Sequence, residues 1–124
     1  MARRPEARDA APGRKAEPGH CPCDGGKRGE AVEYVRGLFE RAGEFLDPDP
    51  HAEGNLLVIF RDPPGCLARC LELLGIEGME TSDEGGTARY VVIYEEDAVR
   101  RFLSVVRPSI PDVEPLARKI ASYI

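Results

Sequence analysis

The chain has 124 residues, enough for one domain with its own core, and 42 % of them are hydrophobic, an ordinary share for a globular protein. No apolar run approaches the roughly 20 residues of a membrane span, and the N-terminus lacks the apolar stretch of a secretory signal, so the expectation is a cytoplasmic protein with no membrane partner. The net charge of −5 divides unevenly, +3 over residues 1–28 and −8 over residues 29–124, which denies the body the basic footprint that a phosphate backbone requires.

Residues 1–28 are dominated by proline, glycine, alanine and charge, so they cannot offset their ordering entropy and are predicted to form a disordered basic tail ahead of a folded body at 29–124. Within the tail, His20, Cys21 and Cys23 place three soft ligands in four residues. A closed structural zinc site takes four, so they are either a partial set that a second copy completes or tail residues without a fixed role. The chain holds one asparagine, Asn55, no glutamine, and fourteen arginines to three lysines. Scarce thermolabile amides suggest a thermophile, although a GC-rich genome also favours arginine.

The first helix is predicted over residues 30–42. Ala31, Tyr34, Val35, Leu38, Phe39 and Ala42 recur at helical spacing and span about 160°, a buried stripe. Gly37 falls outside that stripe. A glycine inside a helix costs about 1 kcal/mol against alanine, so Gly37 marks either a solvated face or the close approach of another backbone. Residues 44–46 and 56–60 read as a hairpin around the Asp47-Pro48-Asp49-Pro50 turn. The second strand is continuously apolar, Leu56 to Phe60, and is expected to be covered on much of both faces.

Asp62 ahead of Pro63 and Pro64 suits the N-cap of a second helix whose buried face is Leu67, Cys70, Leu71 and Leu74 and whose end is Gly75. Cys66 and Cys70, four apart on that helix, read as small buried hydrophobes that do not pair with each other. A second hairpin follows, residues 76–81 and 88–94 around a Gly85-Gly86 turn. The acids Glu95, Glu96 and Asp97 open a third helix with Val99, Phe102, Leu103 and Val106 inward, stopped by Pro108. Asp112 can cap a last helix carrying Leu116, Ile120 and Tyr123 on one face. The predicted class is α+β, in the order αββαββα with an extra C-terminal helix and the helices on one face of the sheet.

That order, opened by a helix ending G-L-F-x-x-x-G at residues 37–43, resembles a single, degenerate LAGLIDADG homing-endonuclease domain. Gly37 and Gly43 match the motif glycines, and Leu38 and Phe39 its apolar pair. Residues 67–76 look like the family's second helix and its exit, and residues 90–106 like its last strand and following helix. The resemblance implies a pair of domains joined through the motif helices, here a homodimer with Glu33, Gly37, Glu40, Arg41 and Gly43 at the interface. It also implies a DNA-binding sheet, with Arg61 and Arg89 as the candidate contacts to double-stranded DNA.

The motif acid that holds a divalent metal in the family is Ala42 here, and a methyl group cannot bind Mg²⁺. Glu44 is the only fallback ligand, so the expectation is a pseudoenzyme with no cofactor, needing Mg²⁺ only if it cleaves DNA. The sequence offers no competing catalytic set, and His20 and His51, its only histidines, are expected to be solvated. Three readings stay open. The chain is a dimeric DNA-binding protein without activity, a protein-interaction module using a sheet face with Leu57, Ile59, Val91 and Ile93, or a weakly active homodimeric metal-dependent endonuclease.

Overall fold

The computed structural model describes residues 21–124. Eight elements follow in order: α1 (Arg28–Ala42), β1 (Gly43–Leu46), β2 (Leu57–Arg61), α2 (Cys66–Leu74), β3 (Met79–Ser82), β4 (Arg89–Ile93), α3 (Glu96–Val106) and α4 (Leu116–Ala121). They build an α+β protein with one antiparallel four-stranded sheet in the order β1-β2-β4-β3. Two hairpins meet in the middle, β2 beside β4, and the register there pairs Val58 with Ile93 and Phe60 with Val91.

Side chains alternate across a strand, so those four residues face one way together with Phe45. That face is buried. All four phenylalanines of the chain, Phe39, Phe45, Phe60 and Phe102, meet there edge to face, with Phe39 at 5.0, 5.7 and 5.3 Å from the other three rings. Each such pair adds about 0.5–1.5 kcal/mol to the stabilisation from burial. The stripe predicted for α1 packs into this cluster through Ala31, Val35, Leu38 and Phe39.

Arginines tie the helix ends to one another. Arg36 Nε donates to the Val106 carbonyl at 2.8 Å, and Arg101 Nε to the Leu74 carbonyl at 2.8 Å, serving last-turn carbonyls that have no partner within their own helix. Gly75 follows with φ +74 and lets Ile76 N–H reach back to Leu71 O at 2.9 Å, the left-handed turn the sequence suggested. A side chain there would also meet Arg101.

Three sequence expectations change. Asp62 does not cap α2, which starts at Cys66 behind Gly65. Its carboxylate instead accepts from Arg89 N–H at 2.9 Å while its own N–H donates to Arg89 O at 2.7 Å, which extends the β2–β4 pairing by one residue. Asp112 caps nothing, since α4 opens at Leu116 after Pro115. The boundary of the tail also moves. Cys21 and Cys23 are buried against the body, so residues 21–27 belong to the folded unit, while the rest of the predicted tail lies outside the described residues.

The C-terminal helix has a task that periodicity did not reveal. Lys119 is buried at 7 % exposure, and its ammonium donates to the carbonyls of Asp49, Ala52 and Gly54 in the β1–β2 loop. Asp47 Oδ1 stands 3.0 Å from Nζ, off the hydrogen-bonding direction, as the countercharge. Tyr123 adds its hydroxyl as acceptor for Leu56 N–H at 3.1 Å. Together they clasp a loop that has no secondary structure of its own.

Candidate functional site

At the junction of α1 and β1 the helix stops at Ala42 and the strand begins at Gly43 with no loop between them. Glu44 is therefore a strand residue on the face of the sheet away from the helices. Its carboxylate lies 3.4 Å from Arg61 Nη2, an ion pair open to solvent on both sides. A hard divalent cation needs several oxygen ligands, and here the motif position carries a methyl group while the nearest acid already faces a guanidinium. These residues do not fit Mg²⁺ within one chain.

The glycines of the motif have separate explanations. A Cβ on Gly43 would sit 2.3 Å from Phe39 Cδ1 and 2.9 Å from Phe39 Cα, so the position is closed to side chains by its own helix. The sequence reading placed Gly43 at a contact between two helices, whereas packing inside the chain already requires the glycine. Gly37 is different. A Cβ there meets only Arg41 Nη1 at 3.5 Å, an ordinary contact. Gly37→Ala is accordingly expected to stabilise the isolated chain by about 0.5–1 kcal/mol, read as a raised urea midpoint with unchanged slope. A loss of stability that depends on protein concentration would instead reveal α1 packed against a second copy.

Of the remaining interface candidates, Glu33, Glu40 and Arg41 are exposed. Glu40 is spent within the chain, its carboxylate accepting from Ser109 N–H at 2.9 Å. The two arginines proposed for DNA are likewise engaged. Arg61 pairs with Glu44, and Arg89 Nη2 donates to the Pro63 carbonyl at 2.8 Å.

The open sheet face is the main departure from expectation. Register places Leu46, Leu57, Ile59, Val92, Tyr90 and Met79 on it, with Tyr94 just past the end of β4. Leu46, Met79 and Tyr94 are 42, 47 and 46 % exposed, and Leu57, Ile59, Tyr90 and Val92 are half-buried. The set expected from sequence, Leu57, Ile59, Val91 and Ile93, mixes the two faces, because Val91 and Ile93 lie under the helices. Leu56–Phe60 reads as continuously apolar because its inward residues fill the core while its outward ones line an apolar surface that no helix among the described residues covers. Glu44 and Arg61 are the charged strand residues on that face, and they offset each other. Its ends are acidic, with exposed Asp49 and Glu53 in the β1–β2 loop and Asp83 and Glu84 in the β3–β4 turn. Hydrogen bonds from Thr87 and Ala88 hold the Asp83 carboxyl below its usual range, so that turn keeps its negative charge.

On the helix side, a groove of about 460 Å³ between α2 and the β3 edge is lined by Leu71, Ile76, Val91 and the acids Glu72, Glu77 and Glu80. Carboxylates are its charged groups, so it disfavours anionic ligands.

The remaining candidate, the cysteine pair of the tail, lies at the start of α1 and against α2. His20 is outside the described residues. Cys21 forms a disulfide with Cys66, Cα to Cα 5.5 Å, and Cys23 is buried beside Cys70. The expectation that Cys66 is a plain buried hydrophobe is thus corrected: it is cross-linked to a residue 45 positions earlier. Burial and a hydrogen bond with Cys23 push the Cys70 thiol up to about 12, so Cys70 is protonated at neutral pH.

No helix among the described residues is long and apolar enough to cross a membrane. Comparison with known protein families, with curated proteins and with solved structures gave no match.

Proposed function

We propose that this chain is a LAGLIDADG-like pseudoenzyme that acts as a protein-interaction module, docking through the open face of its sheet. The observation that carries this reading is the apolar character of that face. A sheet that follows a DNA duplex needs cations spread over it. This one presents aliphatic and aromatic side chains with a single compensated ion pair. An exposed apolar patch rimmed by charge is the signature of a protein contact. The acidic ends of the sheet and the −8 of residues 29–124 favour a partner whose apolar centre is ringed by lysine and arginine.

A photo-crosslinker at Ile59 tests the proposal, with the same group at Glu33 on the exposed side of α1 as control. The expected result is a defined adduct through position 59, lost in Val92→Glu while circular dichroism stays unchanged. Adducts only through position 33, or only with a second copy, would sink the reading in favour of helix pairing or self-association.

Random duplex DNA in a low-salt mobility assay is expected to run unshifted with residues 21–124, because sequence-independent attraction appears first at low salt. Retardation that weakens steeply with salt would restore the DNA-binding dimer. Plasmid incubated with Mg²⁺ or Mn²⁺ is expected to stay uncut, and equally so for Glu44→Gln. Cleavage abolished by that substitution would favour the endonuclease reading.

A further inference from the structure

All four cysteines of the chain converge on one place, although they come from two segments more than forty residues apart. Cys21 and Cys23 lie in the turn that leads into α1. That turn is fixed by Asp24 N–H to Cys21 O and Gly26 N–H to Cys23 O, both at 3.0 Å. Cys66 and Cys70 are one helical turn apart on α2, hence on the same face. Cys21 is bonded to Cys66, and Cys23 and Cys70 share a hydrogen bond. The ligand atoms of Cys21, Cys23 and Asp24 lie within 4.8 Å of one another. Cys21, Cys23 and Cys70 are at most 7 % exposed.

We infer that Cys21, Cys23, Cys66 and Cys70, when reduced, form a tetrathiolate site for one structural Zn²⁺ that fastens the start of α1 to α2. Tetrahedral Zn–S bonds of about 2.3 Å set the sulfurs about 3.8 Å apart. The C-x-C turn and the helical C-x-x-x-C supply two ligands each from opposite sides, and opening the Cys21–Cys66 bond to that spacing completes the tetrahedron. A dithiol reduces the disulfide to two thiols by giving up two electrons and two protons and becoming a disulfide itself. A phosphine instead gives the two electrons and takes the oxygen of a water molecule to leave as phosphine oxide, and that water supplies the two protons. Zn²⁺ then displaces the four thiol protons and leaves the site with a charge of −2.

The surroundings suit that charge. Arg69 Nη1 lies 3.7 Å from Cys21 Sγ and 3.1 Å from Asp24 Oδ1, so a cation already donates to one of the four sulfurs. Donors to the ligand atoms are the usual second layer of a metal site. Residues 21–27 read Cys-Pro-Cys-Asp-Gly-Gly-Lys, and they hold to the body through sulfur rather than through large apolar side chains. The partial set visible in sequence, His20 with Cys21 and Cys23, thus finds its missing ligands on α2 of the same chain, with no second copy required.

The test is to reduce the full-length chain with a phosphine, count thiols, and titrate it anaerobically with Co²⁺ and then Zn²⁺. Expected are four reactive thiols and one metal per chain. Co²⁺ should give thiolate-to-metal charge transfer with the strong d–d bands of a tetrahedral sulfur site, bleached by one equivalent of Zn²⁺. Cys23→Ser and Cys70→Ser should each abolish the tetrathiolate spectrum, and Cys23→His should retain one metal per chain with a shifted spectrum. Because the spectrum reads coordination directly, the last variant keeps the outcome clear even where serine variants unfold. Four free thiols with no metal uptake would overturn the inference in favour of a purely structural disulfide. One metal per two chains would overturn it in favour of a site between copies.

Discussion

Lys119→Met is expected to destabilise the fold by about 3–5 kcal/mol, the cost of breaking a buried ion pair by removing one partner. The ammonium is almost sealed from solvent, and its removal strands the Asp47 carboxylate together with the carbonyls of Asp49, Ala52 and Gly54. Methionine refills most of the volume, so the loss reports on the polar groups rather than on a cavity. In a chain of this size that corresponds to a fall in melting temperature of roughly 15 °C or more. Lys119→Arg should also be costly, because a flat fork does not match three carbonyls converging on a point. Tyr123→Phe removes one acceptor and should cost only about 1 kcal/mol. Urea unfolding with both variants checks the ordering. A Lys119→Met effect below about 1 kcal/mol would mean that water or the loop itself satisfies those groups.

The clasp also shows what a sequence withholds. Lys119 sits among Leu116, Ile120 and Tyr123 in a helix read from its apolar face, and nothing in its neighbourhood distinguishes it from a solvated lysine. Its partners are mostly backbone carbonyls 65–70 residues earlier, groups that every residue type carries. The order of elements was legible for the opposite reason. Period 3.6 and period 2, glycine after the last turn of α2 and acids before α3 are local signals, and the elements fall within a few residues of where those signals put them. Asp62 misled because an aspartate before two prolines suits a cap and a strand-end bridge equally well. The faces of the sheet were hidden by a different ambiguity. Leu56–Phe60 is apolar at every position, and only the register of β2 on β4 assigns Val58 and Phe60 inward and Leu57 and Ile59 outward.

The cysteines stand between these cases. Their types and spacings, C-x-C and C-x-x-x-C, were visible, but the pairing of the two motifs is a tertiary fact. The tail composition pointed to disorder through residue 28, and the sulfur contacts of residues 21–27 override it locally. That is the general limit of a compositional argument. It weighs apolar burial against ordering entropy and has no term for a covalent or metal cross-link.

Phe39→Ala is expected to cost about 3–5 kcal/mol, because its buried ring packs edge to face on all the other three. Gly43→Ala should cost about 1–3 kcal/mol on its own, since the new methyl group meets the Phe39 ring and backbone. The informative quantity is the double variant. If Gly43 is a glycine because Phe39 lies against it, removing the ring removes most of the clash. The double variant should then be more stable than the sum of the single effects by 1 kcal/mol or so, the range measured for residues in contact. Equilibrium unfolding at two protein concentrations a hundredfold apart supplies the decision. Coupling that is independent of concentration places the function of this motif glycine inside one chain, and leaves the open sheet face as the surface free to meet a partner. Additive costs that shrink on dilution would return Gly43 to a helix-to-helix contact and, with it, the two-domain architecture that the resemblance implies.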